Sequence, residues 1–349
     1  MDSAPRRNRQ LVAGAWRVRF EFEEMRSDSK WDDLVTDWRS STVFHQSGWL
    51  EAAAKSSKQS LVRLVGRADD EEVLAMPMFR SKSGPLRTIL SPPPKLGIQH
   101  LGPVLRDEVQ DSPSQEGLRL EILGELLDAI THRFGPGLLY FRTVPRLTDL
   151  RPFRWHGCTV EVLYTYIKRL PERVDDLLPS FHRRVRSYLR QTSGPVDVRL
   201  GGRDLCAEIH KFVARRFSEQ GKSFGPSREY FVALFDALGP SRFQPIGAYT
   251  ESGLEAGAIV TFHGRRASFW QHASSTASPR LPLTDHLVWF AMNLAAQKGC
   301  AEFELVGANT PRLVAFKTKF SPDLEQFFEV SKASTTGRIA RAIYRRLRG

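Results

Sequence analysis

Residues 300–330 read CAEFELVGANTPRLVAFKTKFSPDLEQFFEV. Phe303 and Leu305 mark a buried strand, Gly307-Ala308-Asn309 a turn, and a short helix then ends in Phe316-Lys317 before another strand. A lysine directly after an aromatic, close to a glycine-containing strand-to-helix turn, suits an anionic or carbonyl-bearing ligand. Turn N–H groups and a nearby cation both favour developing negative charge. The alternative is a surface lysine on an amphipathic helix. The surrounding chain has to decide between them.

Upstream, Thr284 to Lys298 places Leu287, Ala291, Leu294 and Ala295 on one helical face. Phe243 to Tyr249, Leu254 to Phe262 and Ala267 to Ala273 predict three strands joined by short turns, an antiparallel meander. Tyr230 to Leu238 predicts a helix. Asp204 is placed to cap another, with Leu205, Ile209, Phe212, Val213 and Phe217 inward. Val196 to Leu200 predicts a strand, and Val174 to Gln191 is helical apart from Pro179.

The first half is a looser version of the same order. Trp16 to Glu23 alternates like a half-buried strand. Trp31 to Arg39 and Gly48 to Lys55 predict helices, the second with Ser47 as N-cap. Leu61 to Val65 and Val73 to Phe79 predict strands. Ser91 to Pro94, continuing through Gly97 to Gly102-Pro103, predicts irregular structure. Glu116 to Arg133 is a helix ending near Gly135, and Leu138 to Arg142 and Val160 to Ile167 are strands. The expectation is an α/β chain of two tandem similar units, residues 11–170 and 171–330, with mixed, mostly antiparallel sheets flanked by helices. Residues 1–10 are read as a disordered basic tail.

The chain has 349 residues, more than one compact core usually holds. Hydrophobic residues at 41% and charged residues at 26% suit a soluble globular protein, and no apolar run approaches bilayer length. The three cysteines, Cys158, Cys206 and Cys300, are too dispersed for a disulfide framework or a zinc site, which points to a reducing cytoplasm. No histidine spacing suggests a metal. The net charge of +12 favours anionic partners: nucleotide phosphates, tRNA, coenzyme A or acidic lipid. In residues 331–349, Ile339, Ile343 and Leu347 recur among arginines. That pattern is a basic amphipathic helix suited to an anionic membrane surface or RNA, with a disordered tail as the alternative.

Several motifs together resemble one family. Phe44-His45-Gln46-Ser47-Gly48-Trp49 is similar to the F-x-Q-S…W near the start of the Fem-type proteins. Ser91-Pro92-Pro93 through Gly102-Pro103 resembles their Pro-rich loop, and Arg183-Arg184-Val185-Arg186 their R-x-x-I-R-x-A segment. Gly307-Ala308-Asn309 with Phe316-Lys317-Thr318-Lys319-Phe320 resembles their closing G-x-N…F-K-x-x-F. Over about residues 16–330 the chain thus resembles the FemAB-like N-acyltransferases of the GNAT superfamily, built from a duplicated GNAT domain. The resemblance implies transfer of an acyl group to an amine, from acyl-coenzyme A or from aminoacyl-tRNA. It implies a catalytic centre at Lys317 and Phe316, and phosphate binding by Arg183, Arg184 and Arg186. Three departures stand out. The strand Ser268 to Ser274 carries no tyrosine, Glu304 stands where family members often have aspartate, and the Gln/Arg-x-x-Gly-x-Gly/Ala pyrophosphate loop of simple GNAT enzymes is absent after the meander.

Aminolysis requires a neutral amine, stabilisation of a tetrahedral oxyanion, and alignment of two substrates. Lys317 is the candidate for the oxyanion or a phosphate. His272 is the candidate for proton handling, with Trp270 and Gln271 flanking it on alternate faces. Asn309 and Gly307 are candidates for substrate contact, Asn309 alternatively holding its own turn. Lys95 and His100 are candidates to line an acceptor cleft between the units. The expected function is an N-acyltransferase acting on an amine of an anionic, nucleotide- or lipid-linked precursor in cell-envelope or polysaccharide biosynthesis. It would be cytoplasmic, with peripheral membrane contact through residues 331–349. The alternatives are an aminoacyl-tRNA-dependent peptidyltransferase and a non-catalytic module binding RNA or anionic lipid.

Overall fold

A computed structural model describes residues 18–83, 86–192, 194–275, 281–334 and 337. The basic tail at residues 1–10 lies outside the described residues; of the C-terminal segment 331–349, residues 331–333 continue the last strand instead of opening a helix, and 335, 336 and 338–349 lie outside the described residues.

The first half opens with β1 (Phe20–Glu24) and α1 (Asp28–Asp37), where the Ser27 hydroxyl accepts from the Lys30 N–H and Trp31 and Val35 point inward. In α2 (Ser47–Ser57) the capping position is held by Gln46, not Ser47. The Ser47 N–H and hydroxyl both donate to the Asp32 carboxylate, each at 2.6 Å, and so tie α2 to α1. Then come β2 (Ser60–Ala68), β3 (Glu71–Ser83), β4 (Leu86–Ser91), β5 (Val104–Leu105), α3 (Asp107–Asp111), α4 (Glu116–Phe134), β6 (Leu138–Arg142), α5 (Arg151–Trp155) and β7 (Thr159–Arg169). The strand at Leu86–Ser91 has no counterpart in the sequence reading, which saw only the prolines after it.

The second half comprises α6 (Arg183–Gln191), β8 (Asp197–Leu200), α7 (Arg203–Ser218), α8 (Arg228–Arg242), β9 (Phe243–Thr250), β10 (Gly253–His263), β11 (Arg266–Ser274), α9 (Leu283–Gln297), β12 (Glu302–Glu304), α10 (Pro311–Lys317) and β13 (Asp323–Ala333). The single helix expected from Val174 is replaced by two 3₁₀ turns, Val174–Asp176 and Leu178–Ser180, before α6 begins. Pro179 has no N–H to donate, and the ring of His182 caps the new start by accepting from the Arg184 N–H. Gly202 takes the capping position of α7, leaving Asp204 in the first turn, where its charge still meets the positive end of the helix.

The described strands form one sheet in the order β1-β2-β3-β4-β6-β13-β7-β12-β11-β10-β9-β8, with β5 attached to β3. Each half runs meander, helix, parallel strand, short helix, final strand. The final strands are exchanged: β13 pairs with β6, and β7 pairs with β12. They also pair with each other from Asp323–Ile167 to Ser331–Thr159, so the sheet is continuous across residue 170. Trp49, Phe231, Phe243 and Trp270 pack edge-on or tilted at the seam, with Trp49 and Trp270 ring centroids 5.0 Å apart.

The loop from Pro92 to Pro103 is pinned where β6 ends. The N–H groups of Leu101 and Gly102 both donate to the Arg142 carbonyl, at 3.2 and 2.5 Å. A β-carbon on Gly102 would stand 2.6 Å from that oxygen. Both sides of the contact are backbone, so the strain has no easy outlet. Gly102→Ala is expected to cost about 1–3 kcal/mol, the usual range for overpacking, and to lower the denaturation midpoint accordingly. An unchanged midpoint would show that the loop has slack at this point.

Candidate active site

The site forms where β12 ends. β11 and β12 pair in parallel only from Arg266–Glu302 to Ser268–Glu304. Beyond Glu304 the chain follows β7: the Leu305 N–H donates to the Tyr166 carbonyl at 2.8 Å and the Ala308 N–H to the Tyr164 carbonyl at 3.0 Å. β11 meanwhile runs on to Ser274. Among the described residues no backbone hydrogen bond joins residues 270–274 to 305–309, so the two paths diverge. Asn309 holds the β7 side. Its side chain accepts from the Tyr164 N–H and donates to the Tyr164 carbonyl, each at 2.9 Å, and both groups of its amide are thereby engaged.

Val306 and Gly307 both adopt positive φ, +55° and +79°. That conformation strains a β-branched residue such as Val306. The turn aims two carbonyls at Lys317, whose ammonium donates to Val306 O and, at 2.8 Å, to Gly307 O. Lys317 is only 2% exposed, so it is not the surface lysine of the alternative reading. Its third N–H is not used in these bonds. Burial pushes its pKa down to about 8, against the opposing pull of the Glu304 charge.

Glu304 is the hub beneath this turn. Its carboxylate accepts from His100 Nε2 at 2.7 Å, Thr165 Oγ1 at 2.7 Å and Ser268 Oγ at 3.3 Å. Thr165 Oγ1 in turn accepts from the Gly307 N–H at 3.3 Å. Burial alone would raise the Glu304 pKa; the charge and hydrogen bond of His100, then Arg266 and Thr165, bring it down to about 2. A continuous chain of bonds therefore runs from His100 in the first-half loop, through Glu304 and Thr165, to Gly307 and Lys317. Glu304 was noted in the sequence only as a departure from a family aspartate, and Thr165 gave no signal, because the contacts join residues 100, 165 and 304.

His272 stacks on Phe316, with ring centroids 6.0 Å apart and planes 24° from parallel. Burial first, and the Lys317 charge second, hold its pKa well below the ordinary histidine value, so it is uncharged at neutral pH. The alternate-face reading of its neighbours is corrected by a β-bulge. Ile259 pairs with Gln271 but Val260 with Phe269, which leaves Trp270 as the extra residue. Phe269 and His272 therefore share a side, with centroids 4.6 Å apart. Trp270 turns into the seam cluster, and its indole N–H donates to the Gly97 carbonyl at 2.7 Å. Gln271 lies beside the same glycine, and Lys95 is exposed two residues earlier. Lys95, His100, Trp270 and Gln271 thus gather around the first-half loop, while Lys317, Phe316 and His272 gather around α10.

The arginine helix is brought to α10. The His182 N–H donates to the Lys319 carbonyl at 2.8 Å, and Phe181 packs on Phe320 with centroids 5.3 Å apart. Arg183 and Arg184 are exposed, and no side-chain partner is seen for either among the described residues; Arg186 is half-buried and donates to the Pro179 carbonyl at 2.7 Å. Lys319 was missed as a site residue. Its ammonium lies 4.3 Å from the Phe316 ring centroid and 2.5 Å from Asp285, the buried acid at the start of α9. A concavity of about 620 Å³ lies beside α5. The chemistry at Lys317 rests on its hydrogen bonds and burial. Among the described residues no group of three or more His, Cys, Asp or Glu is placed to hold a metal, and no helix is long and apolar enough to cross a membrane.

The sequence pattern of the family described as acetyltransferase (GNAT) domain matches residues 180–318. No curated protein matches the chain in sequence. The crystal structure of FemX superposes with a TM-score of 0.71 at 15% identity, covering 92% of this chain and 100% of that one. L-PGS from Bacillus licheniformis gives 0.55 at 13% identity over 86% and 92%. The C-terminal domain of a putative lysylphosphatidylglycerol synthetase from Agrobacterium fabrum gives 0.54 at 13% identity over 90% and 96%. Residues 180–318 thus carry the sequence pattern of a GNAT domain, and the chain as a whole shares the fold of the FemX structure.

Proposed function

We propose that this protein transfers an acyl group from acyl-coenzyme A to an amine on an anionic envelope or polysaccharide precursor. The observation that carries the reading is the buried Lys317 ammonium, fixed by two carbonyls where β11 and β12 part. The amine nitrogen attacks the thioester carbonyl. The remaining Lys317 N–H meets the developing oxyanion, the C–S bond breaks, and the thiolate leaves with the proton lost by the amine. Phe316 and the uncharged His272 wall the acyl group. Arg183 and Arg184 supply exposed guanidiniums for donor phosphates, which arginine forks match well. Lys95 and Gln271 are assigned to the acceptor. Gly307 serves through its carbonyl to Lys317, and Asn309 and Arg186 support the backbone.

The test is release of free coenzyme A from acetyl- and longer acyl-coenzyme A in the presence of amino sugars and their nucleotide-linked forms. Turnover should fall as pH rises through about 8, because the Lys317 ammonium is then lost. Lys317→Arg, which keeps its charge, should move that limb upward. No release with any pair would reject the reading, and an unmoved limb in an active Lys317→Arg variant would reject the role of the ammonium.

A second reading takes aminoacyl-tRNA as donor. It is supported by the exposed arginines opening α6 and by the absence of the simple GNAT pyrophosphate loop from the sequence after the meander. Transfer from aminoacyl-tRNA, with none from acyl-coenzyme A, would select it.

A further inference from the structure

Among the described residues, the central strands β7 and β13 leave part of one face exposed, although Val330 and Tyr166 on it are buried. Val160–Val330, Val162–Phe328, Tyr164–Gln326 and Tyr166–Leu324 are register pairs, so these side chains share a side of the sheet. Val162 is 47% and Leu324 56% exposed, although both strands lie mid-sheet, where apolar side chains are ordinarily covered. Trp155, at the end of α5, is 67% exposed. The concavity of about 620 Å³ lies here, with Val160, Val162 and Phe328 among its lining residues and Thr148, Asp149, Arg151 and Arg154 adding polar groups. That size is within the range of small-molecule sites.

The charges are not equivalent. Arg151 is committed to Asp149 at 2.7 Å and to Glu116, so that pair is neutralised. Arg154 is exposed, and no side-chain partner is seen for it among the described residues. An apolar floor with one unmatched guanidinium at its wall has the polarity of a chain-plus-anion ligand. The floor also continues along β7 to Tyr164, the residue that Asn309 holds beside the candidate active site.

We propose that this groove binds a single-chain amphiphile with an anionic head, taken up as a monomer. The chain lies over Val160, Val162 and Phe328, and the head is held by Arg154. The inference does not depend on the acyl-transfer reading, because its test measures binding and not turnover.

The experiment is calorimetric titration of the full chain with dodecyl phosphate below its micelle concentration. Saturable one-to-one binding is expected, with no competition from inorganic phosphate and little binding of dodecyltrimethylammonium. Arg154→Glu should weaken it about tenfold or more, as expected for loss of a charge-assisted contact, and Val162→Asp at least as much. Arg154 is exposed, so its variant carries the test should Val162→Asp fail to fold. The proposal is overturned by a wild-type chain that takes up no dodecyl phosphate, by equal uptake of the cationic amphiphile, or by wild-type affinity in both variants. Dimerisation abolished by Val162→Asp, without amphiphile binding, would give the face to a second copy and equally overturn it.

Discussion

Lys317→Ala is expected to reduce turnover by about 100-fold or more, the scale seen when one preorganised oxyanion donor is removed. Two further losses follow from its burial. The carbonyls of Val306 and Gly307 lose their shared donor, and an unsatisfied buried polar group costs about 1–3 kcal/mol. The positive-φ turn also loses the cation that holds it. Stability should therefore fall together with activity, and the denaturation midpoint and turnover need to be measured on the same preparation. The ordinary outcome for a surface lysine, full activity and an unchanged midpoint, would remove Lys317 from the site altogether. Between pH 8 and 10.5 the wild-type chain should gain stability from this group, since the unfolded chain still binds the proton that folded Lys317 has released. Lys317→Met should lack that rise.

The second large effect concerns Glu304. Replacing it with Ala strands His100 in a fully buried position and removes the carboxylate that offsets Lys317. A buried polar group left without its hydrogen-bond partner typically costs about 1–3 kcal/mol, and the His100 ring is such a group once the 2.7 Å contact is gone. The penalty should appear as a lower midpoint at neutral pH. The folded-state pKa of Glu304, about 2, lies below its ordinary 4.5, so its contribution is present above pH 4.5 and lost as pH falls towards 2. The acid limb of the wild-type stability curve should therefore flatten in Glu304→Ala. His100→Ala should lower the neutral-pH midpoint too, because the buried Glu304 charge is then left with only the Thr165 and Ser268 hydroxyls as donors. If Glu304→Ala and His100→Ala leave the midpoint within error, the two side chains are not coupled as their 2.7 Å contact implies.

Both effects hinge on residues of very different legibility. Lys317 could be read from the sequence, because an aromatic-lysine pair after a strand and a glycine turn is a local pattern. The meander of β9, β10 and β11 was equally legible, since alternation over single strands is a property of neighbouring residues. So was α4, with its apolar positions at helical spacing and Gly135 in the left-handed conformation after it. The order of elements was enough to suggest two similar units.

What the sequence could not supply depends on distant pairing. The exchange of β7 and β13 between the halves leaves no local trace, because either strand would alternate identically beside any partner. The bulge at Trp270 changes which side His272 meets, and it is set by the register against β10 rather than by the strand's own residues. The buried network of His100, Thr165 and Glu304 exists only once strand exchange sets β7 beside β12 and the first-half loop packs against them. Local periodicity therefore determined the elements and pointed to the lysine. Strand pairing and burial decided what surrounds that lysine, because charges separated by hundreds of residues affect one another only after folding has brought them out of water and into contact.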